Sequence, residues 1–279
     1  MTRLLIDADI VAYKIASTSQ KSFQFDQDCE PSLVVDEWSE VVPRIDQAID
    51  DIKLTLGSDD VVICLSCPTA ENFRLDILPT YKGNRDYSKR PVHLAAVKDY
   101  LADNYPSYRR PGLEADDVMG ILSTSGPGKK IIVSEDKDMK TIPGWLFNPA
   151  KDTKAHLISE EAANRFHLHQ TICGDITDGY QGCPGAGPTA AECILGDRTK
   201  WVEYIHIFKS GPRKGQEETR WLATEAGKAT PWECVVSLFN KYGLTEADAL
   251  VQARVARILR ACDFNFKTKE PILWKPSFT

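Results

Sequence analysis

Short apolar segments that end in acidic residues constrain the fold of this chain more than any other feature. Residues 3–9 read Arg-Leu-Leu-Ile-Asp-Ala-Asp and predict a buried strand whose polar end carries Asp7 and Asp9. Residues 61–65 and 130–133 predict two more buried strands, with a helical segment between them. Strands and helices that alternate in this way indicate a parallel sheet, and ligands bind at the carboxyl ends of such strands.

The second half of the chain has a different pattern. Strand signals fade after about residue 155, and Gly and Pro residues separate helical segments. We therefore predict an α/β core over residues 1–155, with a central, mostly parallel sheet flanked by helices, and a helical half over residues 156–279 that forms one compact unit with it. The C-terminal stretch 263–279 is expected to fold back onto the body. The predicted helices cover residues 41–56, 113–122, 159–170, 188–195, 198–208, 231–242 and 245–261.

Composition excludes several classes of protein. The chain has 279 residues, 42% of them apolar, and can bury a sizeable core, but no apolar stretch approaches the roughly 20 residues of a membrane helix. The N-terminus reaches Asp7 after three apolar residues and has no signal-peptide core, so we expect a cytosolic protein. The net charge of −6 has the wrong sign for a protein that simply coats nucleic acid. The eight scattered cysteines are expected to be reduced thiols.

Acidic residues cluster beside the predicted strand ends and helix starts. Asp136 and Asp138 lie two apart, which on an extended backbone points both side chains the same way. Asp175 and Asp178 lie three apart, which on a helical turn shares a face. Each cluster alone has a structural explanation, because Asp is a common helix N-cap and acids complement a helix N-terminus. The complete set is Asp7, Asp9, Glu114, Asp116, Asp117, Asp136, Asp138, Asp175 and Asp178.

The acids taken together point to metal chemistry. So many like charges at one edge of a sheet would repel each other unless cations lay between them. Oxygen ligands without His or Cys select Mg²⁺ or Mn²⁺ over zinc. Two such ions about 4 Å apart form a clamp for phosphodiesters, in which one ion activates water and the other stabilises the leaving oxygen.

A basic segment lies between the acid-bearing strands. Residues 72–110 contain eight Arg or Lys and four Asp. Within it, Tyr81-Lys-Gly-Asn-Arg85 places an aromatic ring beside two cations, which suits a base stacked on Tyr81 and phosphates held by Lys82 and Arg85. A solvated surface loop is the alternative for such a stretch. Its place between acid-bearing strands favours a phosphodiester substrate.

Two more segments suit phosphate contacts. Residues 179–191 place four glycines just before a helix that begins near Pro188, and the backbone N–H groups of such a loop can approach phosphate closely. A plain turn between helices is the alternative. Residues 209–214, Lys-Ser-Gly-Pro-Arg-Lys, could contact the flank of a duplex or form a solvated turn.

These motifs occur in an order that resembles the 5′-nuclease superfamily, which includes flap endonucleases and the 5′→3′ exonuclease domain of bacterial DNA polymerase I. The matching blocks are Leu-Ile-Asp7, Phe-Arg74 followed by Pro-Thr-Tyr-Lys-Gly-Asn-Arg85, Leu-Glu-Ala-Asp-Asp117, Ser-Glu-Asp-Lys-Asp138, and Gly-Asp-Ile-Thr-Asp178 before the Gly-rich hairpin. Later stretches resemble the small phage replication 5′→3′ exonucleases of podoviruses; they are Lys-Ser-Gly-Pro-Arg-Lys-Gly-Gln-Glu217, Ala-Arg-Ile-Leu-Arg260 and Leu-Trp-Lys-Pro276. The resemblance covers nearly the whole chain.

The resemblance implies a PIN-like core and a two-metal 5′→3′ exonuclease in phage DNA replication and recombination. Such an enzyme releases 5′-phosphate products from double-stranded DNA ends, and often from RNA primers paired with DNA. Two Mg²⁺ ions are expected, with Mn²⁺ as a substitute. The first metal would be held by Asp7, Glu114 and Asp116, with Asp117 nearby. The second would be held by Asp136, Asp138, Asp175 and Asp178, some through water.

The resemblance also implies how the substrate is bound. The loop over about residues 72–92 resembles an arch above the site, where Lys82 and Arg85 would grip the scissile phosphate and take part in catalysis. Residues 174–196 resemble a helix-hairpin-helix motif that holds the downstream duplex, commonly with a bound K⁺. DNA with 5′ ends, flaps or RNA primers is the expected substrate, and a phage polymerase or single-strand-binding protein is an expected partner. The expected DNA-binding residues are Arg74, Tyr81, Lys82, Arg85, Lys89, Arg90, Gly182, Gly185, Gly187, Thr189, Lys209, Arg213 and Lys214.

One position departs from the family pattern. Many members carry a further Asp just after the second strand, whereas residues 65–73 of this chain contain no Asp, and their first acid is Glu71. We expect Asp9, or Glu71 through water, to cover the first metal instead.

Three alternatives follow from the same residues. A structure-specific flap endonuclease shares the site and differs in how single strands pass the arch. A catalytically weak protein that binds DNA ends would need the basic loop and the hairpin, but it has no use for converging carboxylates. A single-strand RNA nuclease of the wider acid-lined α/β group would not need the Gly-rich hairpin.

Overall fold

The structure is a computed structural model and describes residues 2–24 and 32–276. Its strands are β1 (Thr2–Asp7), β2 (Gln20–Phe23), β3 (Ser32–Val35), β4 (Val61–Leu65), β5 (Ser107–Arg109), β6 (Lys129–Val133), β7 (Gly144–Phe147), β8 (His156–Ile158), β9 (Thr199–Ile207), β10 (Glu217–Glu225), β11 (Phe264–Asn265) and β12 (Glu270–Pro271). Its helices are α1 (Ala8–Thr18), α2 (Trp38–Leu56), α3 (Arg74–Ile77), α4 (Leu94–Asn104), α5 (Ala115–Thr124), α6 (Glu160–Cys173), α7 (Pro188–Leu195), α8 (Pro231–Lys241) and α9 (Glu246–Ala256).

The chain forms two compact units, each assembled from separate segments. The first contains the chain up to Leu75, residues 85–163 and residues 258–272. The second contains residues 76–84, residues 164–257 and the chain from Leu273 onward. The sequence predicts a single division near residue 155. In the structure the chain instead passes back and forth, so that each unit is built from three separate segments.

A six-stranded sheet organises the first unit. Its strand order is β5-β4-β1-β6-β7-β8, and every neighbouring pair is parallel except β7 with β8. The prediction of a central, mostly parallel sheet flanked by helices is therefore confirmed. Strand β1 lies between β4 and β6, so the chain leaves β1 toward one edge and later returns on its other side. Ligands bind at such a reversal of strand order, at the carboxyl ends of the strands.

Both faces of this sheet are apolar, which explains why its strands read as nearly continuous hydrophobic runs. Leu4 and Ile6 point to one face and pack in a cluster with residues of α1, α2 and α4. Leu5 points to the other face and packs with residues of α5 and with Ile258 and Leu259. Alternate residues of β1 thus join two separate cores, and the strand is held rigidly between them.

Helix α2 shows why the helical prediction for residues 41–56 is correct. Its buried residues Val41, Ile45, Ile49 and Ile52 recur every three or four positions, so they line one face. Gly57 ends the helix with a left-handed backbone at φ 64°, a conformation that glycine adopts without steric cost.

The second unit contains most of α6 and all of α7 to α9, together with an antiparallel ribbon formed by β9 and β10. Its core includes Ile172, Trp232 and Phe239. The sequence predicts a helix over residues 198–208, and that prediction is wrong, because Thr199–Ile207 is a strand paired with Glu217–Glu225. Pairing across the turn over residues 208–216 outweighs the local helical spacing of the apolar residues.

The C-terminal stretch folds back, as expected, over its described part. Strands β11 and β12 form a short antiparallel pair in the first unit. In the second unit, the ring of Trp274 packs edge-on against His167 and Trp232, at centroid distances of 5.0 and 5.1 Å. No helix within the described residues is both long enough and apolar enough to cross a membrane.

Candidate active site

Asp7 is a deeply buried carboxylate of the first unit. It ends β1, and only 2% of its surface is exposed. Its Oδ1 accepts a hydrogen bond from the backbone N–H of Ile10 at 3.2 Å and caps α1, while its Oδ2 accepts one from the Ser134 hydroxyl at 2.7 Å. Two strand ends therefore fix the orientation of this carboxylate. Ser134 begins the matching block Ser-Glu-Asp-Lys-Asp138, but the sequence predicts no role for its side chain.

The surroundings of Asp7 disfavour its negative charge. Burial, and then the nearby charges of Asp9 and Asp136, raise the pKa of Asp7 to about 7, although its hydrogen bonds with Ser134 and Ile10 act in the opposite direction. The thiol of Cys64, on the neighbouring strand β4, has a pKa raised by burial and then by the charges of Asp7, Asp116 and Asp9. Four of the predicted metal-binding acids thus act on one buried region at the end of β1.

The donors in this region are chemically suited to a hard divalent cation. All four are carboxylates, and a cation among them would remove the repulsion that raises the pKa of Asp7. Over residues 2–24 and 32–276, no three carboxylate, imidazole or thiol groups are arranged to ligate one ion. The type of donor therefore fits Mg²⁺ or Mn²⁺, and the assignment of individual ligands stays a prediction.

The pair Asp136 and Asp138 is not arranged as predicted. The sequence predicts an extended backbone, whereas Asp136 begins a 3₁₀ turn over Lys137–Thr141 that contains Asp138. Asp136 Oδ1 accepts from the backbone N–H of Asp138 at 2.8 Å. Ser134 Oγ accepts from the backbone N–H of Asp136 at 3.1 Å, so Ser134 joins this turn to Asp7.

Asp9 lies in the first turn of α1 rather than at the end of a strand. Its Oδ1 lies 2.9 Å from the ammonium nitrogen of Lys98 on α4, and both side chains are partly exposed. Lys98 is a cation beside the acidic cluster that the sequence analysis did not predict to act there. Its charge offsets part of the repulsion between Asp9 and Asp7.

The expected DNA contact of Arg74 must be corrected. Arg74 is buried, and its guanidinium donates two hydrogen bonds to Asp117, at 2.7 and 2.8 Å. Asp117 is also buried and accepts from the backbone N–H groups of Glu114 and Leu259. Because both carboxylate oxygens of Asp117 are bonded in this way, it serves to fix the start of α5 rather than to ligate a metal. Helix α5 in turn holds Glu114 and Asp116 in place.

Ser66 stands near the position where many family members carry a further Asp. Its hydroxyl oxygen accepts a hydrogen bond of 2.9 Å from the backbone N–H of Ala115, the first residue of α5. Ser66 thus helps to fasten the helix that carries Asp116. Glu71 lies in a short 3₁₀ turn over Thr69–Glu71 and is exposed.

In the second unit, Lys82 is held in a strained and mostly buried position. Its φ of 54° lies in the left-handed region, which costs free energy for a residue other than glycine. Its ammonium nitrogen lies 3.5 Å from Asp178 Oδ2 and 5.0 Å from the centre of the Tyr81 ring. Its backbone N–H donates to the carbonyl of Asp178 at 2.8 Å. Strain of this kind is retained where the surrounding contacts fix the residue, and it is common at functional sites.

The expected role of Tyr81 as an exposed stacking platform must also be corrected. Tyr81 is 3% exposed, and its hydroxyl donates to Asp178 at 3.1 Å. The Tyr81 ring therefore packs beside the Lys82 ammonium group and is too deeply buried to stack with a base. Asp178 accepts from Tyr81 and pairs with Lys82, so it orients the lysine in this unit.

Asp175 and Asp178 lie in a tight turn, not on the predicted helical turn. Asp175 forms an antiparallel bridge with Tyr180, and its Oδ1 accepts from the backbone N–H of Thr177. Gly179 has a φ of 75°, and a Cβ there would lie 3.1 Å from the carbonyl oxygen of Thr80. A glycine is thus needed where this turn crosses the segment that carries Lys82.

Helices α6 and α7 flank the Gly-rich loop, as the predicted hairpin requires. Gly174 and Gly182 cross so closely that a Cβ on Gly182 would lie 2.4 Å from the nitrogen of Gly174. The role of Gly182 is therefore to allow the crossing. Gly187 has no atom within 4 Å of the corresponding Cβ position, and Thr189 is exposed in the first turn of α7. These two positions leave room for a ligand at the loop.

The remaining predicted cations lie at the surface. Arg85, Lys89 and Arg90 are exposed, and the guanidinium of Arg90 lies 4.2 Å from the centre of the Tyr87 ring. Residues 209–214 form the exposed turn of the β9–β10 ribbon.

Comparisons with known proteins agree with this fold and chemistry. Residues 2–157 match the model of a family described as 5′-3′ exonuclease, N-terminal resolvase-like domain. An exonuclease of Escherichia phage T7 is 40% identical over 222 residues, which cover 77% of this chain and 74% of the relative. An exodeoxyribonuclease of Enterobacteria phage T3 is 39% identical over 223 residues, which cover 77% and 73%.

A solved structure shows a similar fold. The flap endonuclease of bacteriophage T5, in a pseudo-enzyme-product complex with DNA and metal ions, aligns with a TM-score of 0.50 and 18% identity. The alignment covers 71% of this chain and 75% of the other.

An α/β fold with a mostly parallel sheet and acids at the end of its central strand, together with these similarities, defines a nuclease that hydrolyses phosphodiester bonds. Within that class, the chain belongs to the 5′-3′ exonuclease family of the 5′-nuclease superfamily. The family resemblance predicted from the ordered motifs is thus confirmed.

Proposed function

We propose that this nuclease is a divalent-metal-dependent 5′→3′ exodeoxyribonuclease that degrades double-stranded DNA from its 5′ ends. It releases 5′-phosphate products, removes RNA primers paired with DNA, and acts during phage replication in the host cytoplasm. The similarity to two phage exonucleases over about three quarters of the chain supports the proposal.

One observation carries the proposal furthest. Asp7 is buried at the carboxyl end of the central strand, and its burial together with the charges of Asp9 and Asp136 raises its pKa to about 7. A structural N-cap has no need of this crowding, because a single carboxylate suffices for the cap. A site that binds a divalent cation does need it, since several negative charges must meet at one point.

Asp7, Asp9, Asp116 and Asp136 are the residues of the first unit that we propose hold the metal, with Glu114 beside them. A divalent cation bound there would activate water and stabilise the charge of the phosphate. Ser134 orients the carboxylate of Asp7, and Ser66 and Asp117 fix the start of α5. A second metal held by Asp136, Asp138, Asp175 and Asp178 stays a prediction from the family resemblance.

Lys82 is the residue that we propose contacts the scissile phosphate from the second unit. Asp178 and Tyr81 hold its side chain, so its position is set before any substrate arrives. A preorganised cation stabilises charge that develops in the transition state without reorganisation at the moment of reaction. Arg85 follows three residues later on the exposed part of the loop and adds a phosphate contact.

The Gly-rich loop between α6 and α7 is the element that we propose holds the duplex backbone, with a K⁺ ion at the hairpin. Gly187 and Thr189 border a surface depression of about 370 Å³. Backbone N–H groups at such a loop, followed by a helix N-terminus, suit a phosphate group.

The proposal is tested by digestion of a duplex labelled separately at its 5′ and 3′ ends, with and without Mg²⁺. Stepwise loss from the 5′ end that requires Mg²⁺ is the expected result, and Asp136→Asn should abolish it. Product lengths from a flapped duplex in the same assay separate an exonuclease from a flap endonuclease. Binding of duplex without any cleavage would instead support a DNA-end binding protein.

A further inference from the structure

The β9–β10 ribbon is the largest element of the second unit that the proposed function leaves unused. Its strands pair over nine positions, from Thr199 with Glu225 to Ile207 with Glu217. At about 3.3 Å per residue, the paired strands are about 30 Å long. Because an antiparallel pair places opposite residues on the same side, its register defines two faces.

The inner face begins at Trp201, which packs on α8. The backbone N–H of Trp201 donates to the Ser237 hydroxyl at 3.0 Å, and the Lys241 ammonium lies 3.3 Å from the centre of the Trp201 ring. Farther along, the inner face carries exposed Ile205 and Ile207, but the carboxylates of Glu203 and Glu217 interrupt them.

The opposite face of the ribbon, called the outer face, combines apolar groups with a cation. It is defined by the cross-strand pairs Val202 with Leu222 and Tyr204 with Arg220, and Val202, Tyr204 and Leu222 are 44%, 40% and 56% exposed. Its acid is Glu218, whose carboxylate is paired with Arg220 at 2.6 Å. The outer face is therefore the less negative of the two faces.

The turn at the far end of the ribbon is strongly basic. Residues 208–216 contain Lys209, Arg213 and Lys214 and no acid, although the whole chain has a net charge of −6. The guanidinium of Arg213 stacks over the Phe208 ring at 3.9 Å from its centre. A basic turn in an acidic protein attracts a polyanion locally.

The base of the ribbon continues the surface formed by the Gly-rich loop. Trp201, Lys241 and Tyr242 border the same depression as Gly187 and Thr189, all within the second unit. A duplex that contacted the loop would therefore meet the base of the ribbon next.

We propose that the outer face and basic turn of the ribbon bind a groove of the duplex beyond the Gly-rich loop, an inference that rests on the proposed function. The major groove is about 12 Å wide and admits a two-stranded ribbon. In that arrangement Val202, Tyr204 and Leu222 contact base edges and sugars, while the basic turn contacts phosphates. The ribbon then extends the duplex-binding surface by about nine base pairs, so the chain binds long duplexes more tightly than short ones.

The test compares binding of duplexes of about 10 and about 30 base pairs, in EDTA so that no metal-dependent cleavage occurs. The unmodified chain should bind the longer duplex more tightly. The ratio of the two affinities should clearly exceed the ratio of the numbers of binding positions that the two duplexes offer. The double variant Val202→Ser with Leu222→Ser should lose about tenfold in affinity for the longer duplex, and its length preference should collapse. Ile205→Ser with Ile207→Ser is the matched control on the inner face and should keep the preference within about twofold.

Circular dichroism checks that both double variants are folded. An outer-face variant that keeps the length preference overturns the inference. Equal losses in the outer-face and inner-face variants also overturn it, because the effect would not be specific to one face. The proposed function is assessed separately, by 5′ cleavage of both duplexes by the unmodified chain in Mg²⁺. Absence of that cleavage contradicts the proposed 5′→3′ exodeoxyribonuclease activity, whatever the result for the ribbon.

Discussion

The hydroxyl of Ser134 donates a hydrogen bond of 2.7 Å to Asp7, and this contact joins the ends of the two neighbouring parallel strands β1 and β6. Ser134 also accepts from the backbone of Asp136. The Ser134 side chain thus forms hydrogen bonds with two of the acidic residues that we propose hold the metal. Its place between them explains how the carboxylates stay close although their charges repel.

The buried charge of Asp7 predicts a pH-dependent effect of metal on stability. Its folded-state pKa of about 7 lies above the ordinary value of 3.8, so the metal-free chain loses stability as the pH rises through this interval. Metal binding requires the ionised carboxylate, so Mg²⁺ should raise the Tm more near pH 8 than near pH 6. Thermal unfolding with and without Mg²⁺ at both pH values measures these shifts in Tm.

Asp7→Asn, which retains a capping oxygen, should reduce the difference between the Mg²⁺-induced Tm shifts at the two pH values. Asp99→Asn, on the exposed side of α4, should leave that difference unchanged. Equal Mg²⁺ shifts at both pH values would contradict the prediction.

Arg74 should matter for folding rather than for DNA. Removal of its guanidinium in Arg74→Ala leaves Asp117 buried without its partner, so the free energy of unfolding should fall by about 3–5 kcal/mol. Arg74→Lys should also destabilise the chain, since lysine cannot reproduce the two parallel bonds. Urea unfolding measures the change, with the exposed Arg90→Ala as a control. A stable Arg74→Ala chain that binds DNA weakly would restore the expected DNA contact.

Lys82→Ala should slow cleavage far more than it weakens binding. The lysine is preorganised by Asp178 and Tyr81, and such a cation acts mainly on charge in the transition state. We expect the single-turnover rate to fall by about a hundredfold and the duplex Kd to change by less than about threefold. Lys89→Ala removes an exposed cation from the same loop and is the control. Equal losses in rate and affinity would assign Lys82 to binding alone.

Arg213 should contribute to the salt dependence of duplex binding. If its side chain contacts a phosphate, Arg213→Ala should lower the slope of log K against log salt by about 1. Fluorescence anisotropy at several salt concentrations measures the slope, and the exposed Lys228→Ala serves as the comparison. An unchanged slope would remove Arg213 from the binding surface.

Two glycines of the same loop should behave differently when replaced by alanine. At Gly182 the new Cβ would meet backbone at 2.4 Å and the φ is 65°, so Gly182→Ala should strongly destabilise the fold. At Gly187 the Cβ meets no atom within 4 Å, so Gly187→Ala should stay folded and lose duplex affinity where the backbone approaches phosphate. Unfolding and anisotropy measured on both variants separate the two roles. A destabilised Gly187→Ala chain would contradict this assignment.

The sheet could be predicted from the sequence because its physical cause is local. Strands β1, β4 and β6 are buried on both faces, so each appears as a short apolar run. The β9–β10 ribbon was missed although its residues Trp201, Val202 and Tyr204 are typical of strands. Apolar residues at helical spacing outweighed that signal, and the pairing partner lies beyond a turn that was considered only as a basic patch.

The acidic residues of the candidate site could be found from the sequence, but their partners could not. Arg74 and Asp117 are 43 residues apart, and nothing local indicates that they form a buried pair. The same holds for Lys98 beside Asp9 and for Ser134 beside Asp7. Spacing identifies residues that share an element, whereas these contacts depend on how separate elements pack.

The backbone N–H of Leu259 donates to Asp117, a partner made 142 residues earlier in the chain. Segment 258–272 belongs to the first unit, and it is synthesised only after residues 164–257 of the second unit. On the ribosome, residues 164–257 are therefore made before the segment that fastens the helix carrying Asp116. The order of synthesis thus delays this contact until the β9–β10 ribbon and helices α7 to α9 have been made.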